Sequence, residues 1–196
     1  MKKKMRPAVF LDRDGTLIHD VGYLNHHDQI RLFPQTVPAL KLLRKAGFRL
    51  FVVTNQSGVA RGLFPESSVK QTHRKLQSLL KARGARVDGF FYCPHHPQGK
   101  VKSLSRVCRC RKPAPGMVEQ AARKHPIDRK RSYVVGDKLD DLLLARSARL
   151  AGGILVRTGK GRQSEKEMAG KGLKKSFVVP NILSAARMIL KNLEAF

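Results

Sequence analysis

Short, uniformly apolar runs that stop on polar clusters constrain this chain more than any other feature. Ala8-Val9-Phe10-Leu11 runs straight into Asp12-Arg13-Asp14-Gly15-Thr16. Residues 48–53, broken only by Arg49, lead into Thr54-Asn55-Gln56-Ser57-Gly58. Tyr133-Val134-Val135 leads into Gly136-Asp137, and Phe90-Phe91-Tyr92, Ile154-Leu155-Val156 and Phe177-Val178-Val179 complete the set. Runs this short, without polar alternation, read as strands covered on both faces. Helical patterns lie between them, at residues 36–46, 65–83, 115–124, 139–149 and 181–193. Gly47 and Gly84 stop the first two, and Pro65 sits near the first turn of the second. The alternation predicts an α/β fold, a Rossmann-like open parallel sheet, as a single domain over residues 7–196. Two stretches lack a period: a Cys- and His-rich loop at 94–112 and a basic, Gly-rich segment at 158–175.

Composition narrows the function classes. Among 196 residues, 40 Lys and Arg against 14 Asp and Glu give a net charge of +26. No apolar run reaches the length of a transmembrane helix. The apolar run after the basic start is too short for a signal sequence and is cut by Asp12, so we expect a cytoplasmic protein with a flexible basic arm at residues 1–6. Three cysteines, Cys93, Cys108 and Cys110, cluster in one region and do not form a disulfide framework. The positive charge attracts polyanions in general. Aromatic residues do not interleave with the basic runs, so a specific nucleic-acid function is not expected, and non-specific polyanion binding is left open.

In open α/β sheets, ligands bind beyond the carboxyl ends of the strands, and the polar clusters converge there. Asp12 and Asp14 read either as a pair that divides nucleophilic attack from proton transfer or as a surface turn, since Asp-Gly is a common turn pair. A hard cation such as Mg²⁺ would bridge such carboxylates to phosphate oxygens. Thr54 and the amides after it suit phosphate binding, Lys112 suits charge neutralisation, and Asp137 offers a third acidic ligand. Asp140 and Asp141 either assist or cap the next helix. In the loop 93–110, three thiols and the imidazole of His95 suit a tetrahedral structural Zn²⁺, with His96 as the spare ligand and free thiols as the alternative.

In this order Asp12-x-Asp14-Gly15-Thr16, Thr54, Lys112 and Gly136-Asp137 resemble the haloacid dehalogenase superfamily of aspartate-nucleophile phosphatases. The resemblance implies Asp12 as nucleophile and Asp14 as general acid and base. It implies Thr54 and Lys112 as phosphate binders, and Mg²⁺ held by Asp12, Asp137 and the backbone carbonyl of Asp14. Cys93-Pro94-His95-His96-Pro97-Gln98-Gly99, Cys108-Arg109-Cys110-Arg111-Lys112-Pro113 and the run from Thr54 to Gly62 narrow it. They are similar to the D-glycero-D-manno-heptose-1,7-bisphosphate 7-phosphatase family, over residues from about 7 to about 190. So are Gly136-Asp137-Lys138-Leu139 and Val156-Arg157-Thr158-Gly159-Lys160.

That family implies a minimal cap with a zinc-bound loop (Cys93, His95, Cys108, Cys110). It implies removal of the 7-phosphate from a small phosphorylated sugar on the way to lipopolysaccharide or related surface glycans. Arg111, Lys112, Asn55 and Arg61 would read the substrate, with Lys138 and Asp141 as auxiliary groups, in a monomer without membrane attachment. The rivals are a histidinol-phosphate phosphatase, a nucleic-acid 3′-phosphatase and a non-enzymatic nucleic-acid-binding protein. The net charge departs from what the resemblance leads one to expect, with part of its excess at residues 2–6, 123–131 and 157–175.

Overall fold

The computed structural model describes residues 4–24, 26–168 and 170–193. Six strands form one parallel sheet: β1 (Ala8–Leu11), β2 (Arg49–Asn55), β3 (Gly89–Cys93), β4 (Tyr133–Gly136), β5 (Gly152–Val156) and β6 (Ser176–Val179). Their order is β3-β2-β1-β4-β5-β6. The chain winds outward from β1 to one edge and then from β4 to the other, so the direction of winding reverses between β1 and β4. Register pairs Leu11 with Val52 on one side and with Val135 on the other. The residues after these three strands therefore meet at one end of the sheet. That crevice is where a doubly wound sheet binds its ligand.

Among the described residues, seven α-helices pack around the sheet: α1 (Thr36–Lys45), α2 (Ser57–Ala60), α3 (Glu66–Lys81), α4 (Gly116–Lys124), α5 (Leu139–Ser147), α6 (Gly161–Met168) and α7 (Ile182–Leu193). Alternate residues of each strand face opposite ways. Val9, Leu11, Leu50, Val52 and Val135 join Leu40, Leu43, Leu76, Leu80 and Ile189 in one core. Phe10, Phe51, Val53 and Val134 join Met117, Val118, Ala121 and Leu144 in the other. Each full burial of such a side chain stabilises the fold by about 1.5–3 kcal/mol.

Three local findings differ from the sequence pattern. The basic segment 158–175 contains α6, whose buried residues are only Gly161 and Ser164. Arg157 holds Glu165 of this helix in a bidentate pair at 2.7 and 2.8 Å. The polar residues Thr54 and Asn55 belong to β2, paired with Tyr92 and Cys93. Within the arm at residues 1–6, Arg6 bridges to Ile127 and its guanidinium donates to the Gly47 carbonyl at 2.8 Å. Met1–Lys3 lie outside the described residues. Among the described residues, no helix is long and apolar enough to cross a membrane.

Candidate active site

The ends of β1, β2 and β4 place a buried charge cluster at the winding reversal. Lys112 Nζ donates to Asp12 Oδ1 at 2.8 Å, to Asp141 Oδ1 at 2.6 Å and to the Val53 carbonyl at 3.0 Å. All three charged groups are almost wholly buried. Asp12 follows β1, Asp141 lies in the first turn of α5, and Lys112 arrives from the Cys/His loop. Asn55, at the end of β2, fixes that arrival. Its side-chain amide donates to the Lys112 carbonyl at 3.2 Å and accepts from the Lys112 N–H at 3.0 Å.

Burial opposes the Asp12 charge, yet Lys112 beside it and Lys138 beyond it hold its carboxyl below the usual range. Burial also works against the Lys112 ammonium, and the two carboxylates outweigh it and raise its pKa. Asp141 is pushed up to about 6, by burial above all, against the pull of Lys112. Asp137, fully buried at the end of β4, is pushed up to about 8 by burial and then by the Asp12 charge.

The acidic site fits a divalent cation. Oxygens of Asp12, Asp137 and Asp141 lie within 4.8 Å of one another. Asp137 Oδ2 accepts from the Lys160 N–H at 2.8 Å, but its Oδ1 is buried with no hydrogen-bond partner. Buried carboxylate oxygens are rarely left so unless an ion or water is taken up there. The donors are all hard oxygens, which suits Mg²⁺. Gly15 adopts φ +81°, and a Cβ there would run into the Asp137 carboxylate. The tight exit from β1 thus leaves room for the acid that faces it.

Asp14 sits apart from this cluster. Arg13 pairs with it at 3.0 Å, and Gln56 Nε2 donates to it at 3.0 Å and to Thr54 Oγ1 at 2.8 Å. Arg13 Nη2 in turn donates to Gln56 Oε1 at 3.0 Å, and Nη1 lies 3.3 Å from His73 Nε2. A cleft of about 230 Å³ opens over these groups, with Asp14, Asp20, Asn55, Gln56, Lys138 and Lys160 among its lining.

Beside the cleft, Cys93, His95, Cys108 and Cys110 converge. The three Sγ atoms are 3.2–3.4 Å apart, and His95 Nδ1 lies 3.3 Å from Cys110 Sγ and 3.6 Å from Cys93 Sγ. The edges of a tetrahedral zinc site with ~2.3 Å Zn–S bonds would be about 3.7 Å, so the four donors fit a closed structural site. His96 points elsewhere, with its Nε2 3.2 Å from Arg61. Arg111 donates to the His95 carbonyl at 3.3 Å. Arg61 and Arg111 thus stand on the side of the Cys/His loop and are absent from the lining of the Asp14 cleft.

This geometry has close counterparts. A 7-phosphatase of D-glycero-beta-D-manno-heptose 1,7-bisphosphate from Escherichia coli strain K12 is 46% identical, over 85% of this chain and 87% of its own. The Yersinia pestis enzyme of the same name is 44% identical over 83% and 87%. The chain belongs to the D-glycero-beta-D-manno-heptose-1,7-bisphosphate 7-phosphatase family. A HAD-hydrolase-like family model matches residues 109–185. The crystal structure of the D,D-heptose 1,7-bisphosphate phosphatase from B. bronchiseptica, complexed with magnesium and phosphate, superposes with a TM-score of 0.81. It is 34% identical and covers 95% of this chain and 99% of its own.

Against this family frame, Asp12, Lys112, Asp137, Lys138 and Asp141 come together, and Thr54, Asn55 and Asp14 border them. Sequence reasoning missed Arg13, Gln56 and His73. Arg13 is 1% exposed, unusual for an arginine, and that burial marks it as part of the site. Position 13 between the two acids was the one signal available. Gln56 lies in the polar run after β2 and His73 falls on the face of α3 shared with Val69, Leu76 and Leu80, but nothing local signals that they meet Arg13, across 43 and 60 residues.

Proposed function

We propose that this chain is a Mg²⁺-dependent phosphatase that removes the 7-phosphate from D-glycero-D-manno-heptose 1,7-bisphosphate through an aspartyl-phosphate intermediate. The observation that carries it is Asp12, held ionised by Lys112 beside the unpartnered Asp137 oxygen, in a chain whose relatives bear that name. Asp12, Asp137 and the Asp14 carbonyl would hold the cation. When bound, it supplies Lewis-acid stabilisation of charge on the phosphoryl group.

Asp12 Oδ2 attacks phosphorus in line while the bond to the sugar oxygen breaks. Asp14 gives that oxygen its proton. Asp14 then takes a proton from water, which attacks the aspartyl phosphate, releases inorganic phosphate and restores Asp12. Lys112 offsets charge throughout, and Thr54 and the amides after β2 orient the phosphate oxygens. Asn55, Arg61, Arg111, Lys138 and Asp141 complete the set, the two arginines facing the distal part of the sugar phosphate. The four donors of the zinc loop leave no open position, so a metal there is structural. On this reading a single domain over residues 7–196 works as a cytoplasmic monomer.

The test is phosphate release with Mg²⁺ from heptose 1,7-bisphosphate in both anomers, histidinol phosphate and a 3′-phosphorylated oligonucleotide. The expected result is a kcat/KM preference of about a hundredfold or more for one heptose anomer, which is about 2.7 kcal/mol of transition-state discrimination. A preference for either other substrate overturns the reading.

A further inference from the structure

In an all-parallel sheet, the segments that precede the strands gather at one end, opposite the catalytic end. Here that end is strongly cationic. Segments 4–6, 44–49, 81–88, 123–131, 146–151 and 171–175 hold eighteen Lys and Arg against two Asp. Each strand has at least one exposed cation before it: Arg6, Lys45, Arg86, Lys130, Arg149 and Lys175. The two acids are already engaged, Asp88 with Arg44 at 3.1 Å and Asp128 with Arg131 at 2.7 Å. The catalytic end carries Asp12, Asp14, Asp20, Asp137, Asp140 and Asp141. Cations such as Arg13, Lys112 and Lys138 sit among those six acids, whereas the amino end has its eighteen cations against two acids.

The helix dipole accounts for part of the pattern, because Lys45, Lys81, Arg123 and Lys124 close helices whose carboxyl ends lie there. It does not account for Arg86, Lys130, Lys174 or Lys175, which lie in connections. Backbone conformation supplies a separate observation. Among the described residues, the non-glycine positions with positive φ are Arg149 (φ 55°) and Lys175 (φ 60°). Glycine would relax both, yet both carry a cation on this face. Beside them a cleft of about 430 Å³ opens between α5 and the starts of β5 and β6, rimmed by Arg146, Lys174 and Lys175.

We propose that the amino end of the sheet is a docking face for the phosphate backbone of duplex nucleic acid, bound without regard to sequence. Arginine and lysine dispersed over a whole face suit phosphodiesters and release counterions on binding. A lipid surface is less well matched, because stable attachment takes an apolar anchor in addition to charge. Met5 is the only large exposed apolar side chain in these segments among the described residues. Single strands are matched less well again, since the same segments expose no aromatic ring for stacking.

The test is fluorescence anisotropy of a labelled 20-base-pair duplex across a salt series, with the whole protein. The expected result is a log–log salt slope of about −4 or steeper, equivalent to roughly five neutralised phosphates. Lys130→Glu/Arg131→Glu/Lys174→Glu/Lys175→Glu should weaken binding about tenfold or more. Arg74→Glu/Lys75→Glu/Arg162→Glu/Lys166→Glu, which changes net charge equally on α3 and α6, should weaken it less than about twofold.

A second variant, Arg149→Gly/Lys175→Gly, relaxes the backbone, so it should melt no lower than the parent while binding the duplex at least about threefold more weakly. Equal losses in the two quadruple variants would overturn the proposal, as would undiminished binding by the glycine variant. Binding to phosphatidylglycerol vesicles with none to the duplex would also overturn it. Phosphate release from the sugar substrate should continue at saturating duplex, and inhibition would place the duplex at the catalytic mouth instead.

Discussion

The Asn55 side chain clasps the Lys112 backbone at two points, accepting from its N–H at 3.0 Å and donating to its carbonyl at 3.2 Å. Through this clasp the end of β2 sets where the Cys/His loop delivers its ammonium. Replacing Asn55 by Ala leaves both backbone groups without that partner, at about 0.5–1.5 kcal/mol for each lost bond. We expect Asn55→Ala to lower kcat by about tenfold or more with a small change in KM. A rise in KM at constant kcat would mean instead that Asn55 reads the substrate directly.

His73 lies against Phe90, with ring centroids 4.7 Å apart, and faces the Arg13 guanidinium. Burial, then the Arg13 charge, lowers its pKa from 6.5 to about 3. Between those values the unfolded chain binds a proton that the native protein does not. The stability tied to neutral His73 is therefore intact above pH 6.5 and is lost as pH falls towards 3. From pH 7 to pH 5, the wild type should lose about 2 kcal/mol more stability than His73→Gln. Urea unfolding of both proteins at the two pH values measures the difference, and parallel losses would refute it.

Arg13 and Gln56 hold the Asp14 carboxylate from one side. If they position Asp14 for proton transfer, Arg13→Met should depend on the leaving group. Turnover of a sugar phosphate, whose alkoxide needs a proton, should fall by about 10²–10⁴-fold. Formation of the aspartyl phosphate from an aryl phosphate, which leaves unprotonated, should change little. Rapid-quench detection of phosphorylated protein with both substrates separates this from a general loss of fold, which would slow both alike.

The Cys93, His95, Cys108 and Cys110 donors close a loop that has little apolar packing of its own and ends on Lys112. Burial pushes the Cys93 thiol up, so deprotonation there needs the pull of a metal. Purified protein should carry one equivalent of zinc by elemental analysis. Its removal by a strong chelator should lower the melting temperature and abolish activity that added Mg²⁺ does not restore. Full activity in metal-stripped, zinc-free protein would remove the structural role.

Much of this was legible in the chain because the strands are largely apolar runs and acids directly follow β1 and β4. Leu11 to Asp12 and Gly136 to Asp137 are boundaries that a hydrophobicity pattern detects. Asp141 reads in sequence as a helix cap or an active-site assistant; its Oδ2 accepts from the Lys138 N–H at 3.1 Å, a capping bond, and its Oδ1 accepts from Lys112 beside Asp12. Helix α6 was not legible, because its buried residues are only Gly161 and Ser164 and it has no apolar stripe to detect. Arg13 and Gln56 look like surface residues in sequence, and His73, although on the buried face of α3 with Val69 and Leu76, gives no sign of its partner Arg13. Only the fold, by closing distant segments around them, makes them interior.

The pairing of β1 with β4 has a consequence for synthesis. Leu11 leaves the ribosome early, but its partner Val135 is made more than a hundred residues later. At roughly 5–20 residues per second, β1 waits several seconds or longer with one apolar edge open. During that interval the nascent chain holds Asp12 without Asp141, and for most of it without Lys112. Chaperone capture of the growing polypeptide should therefore be strongest while residues 49–130 emerge, and should subside once β4 has cleared the exit tunnel.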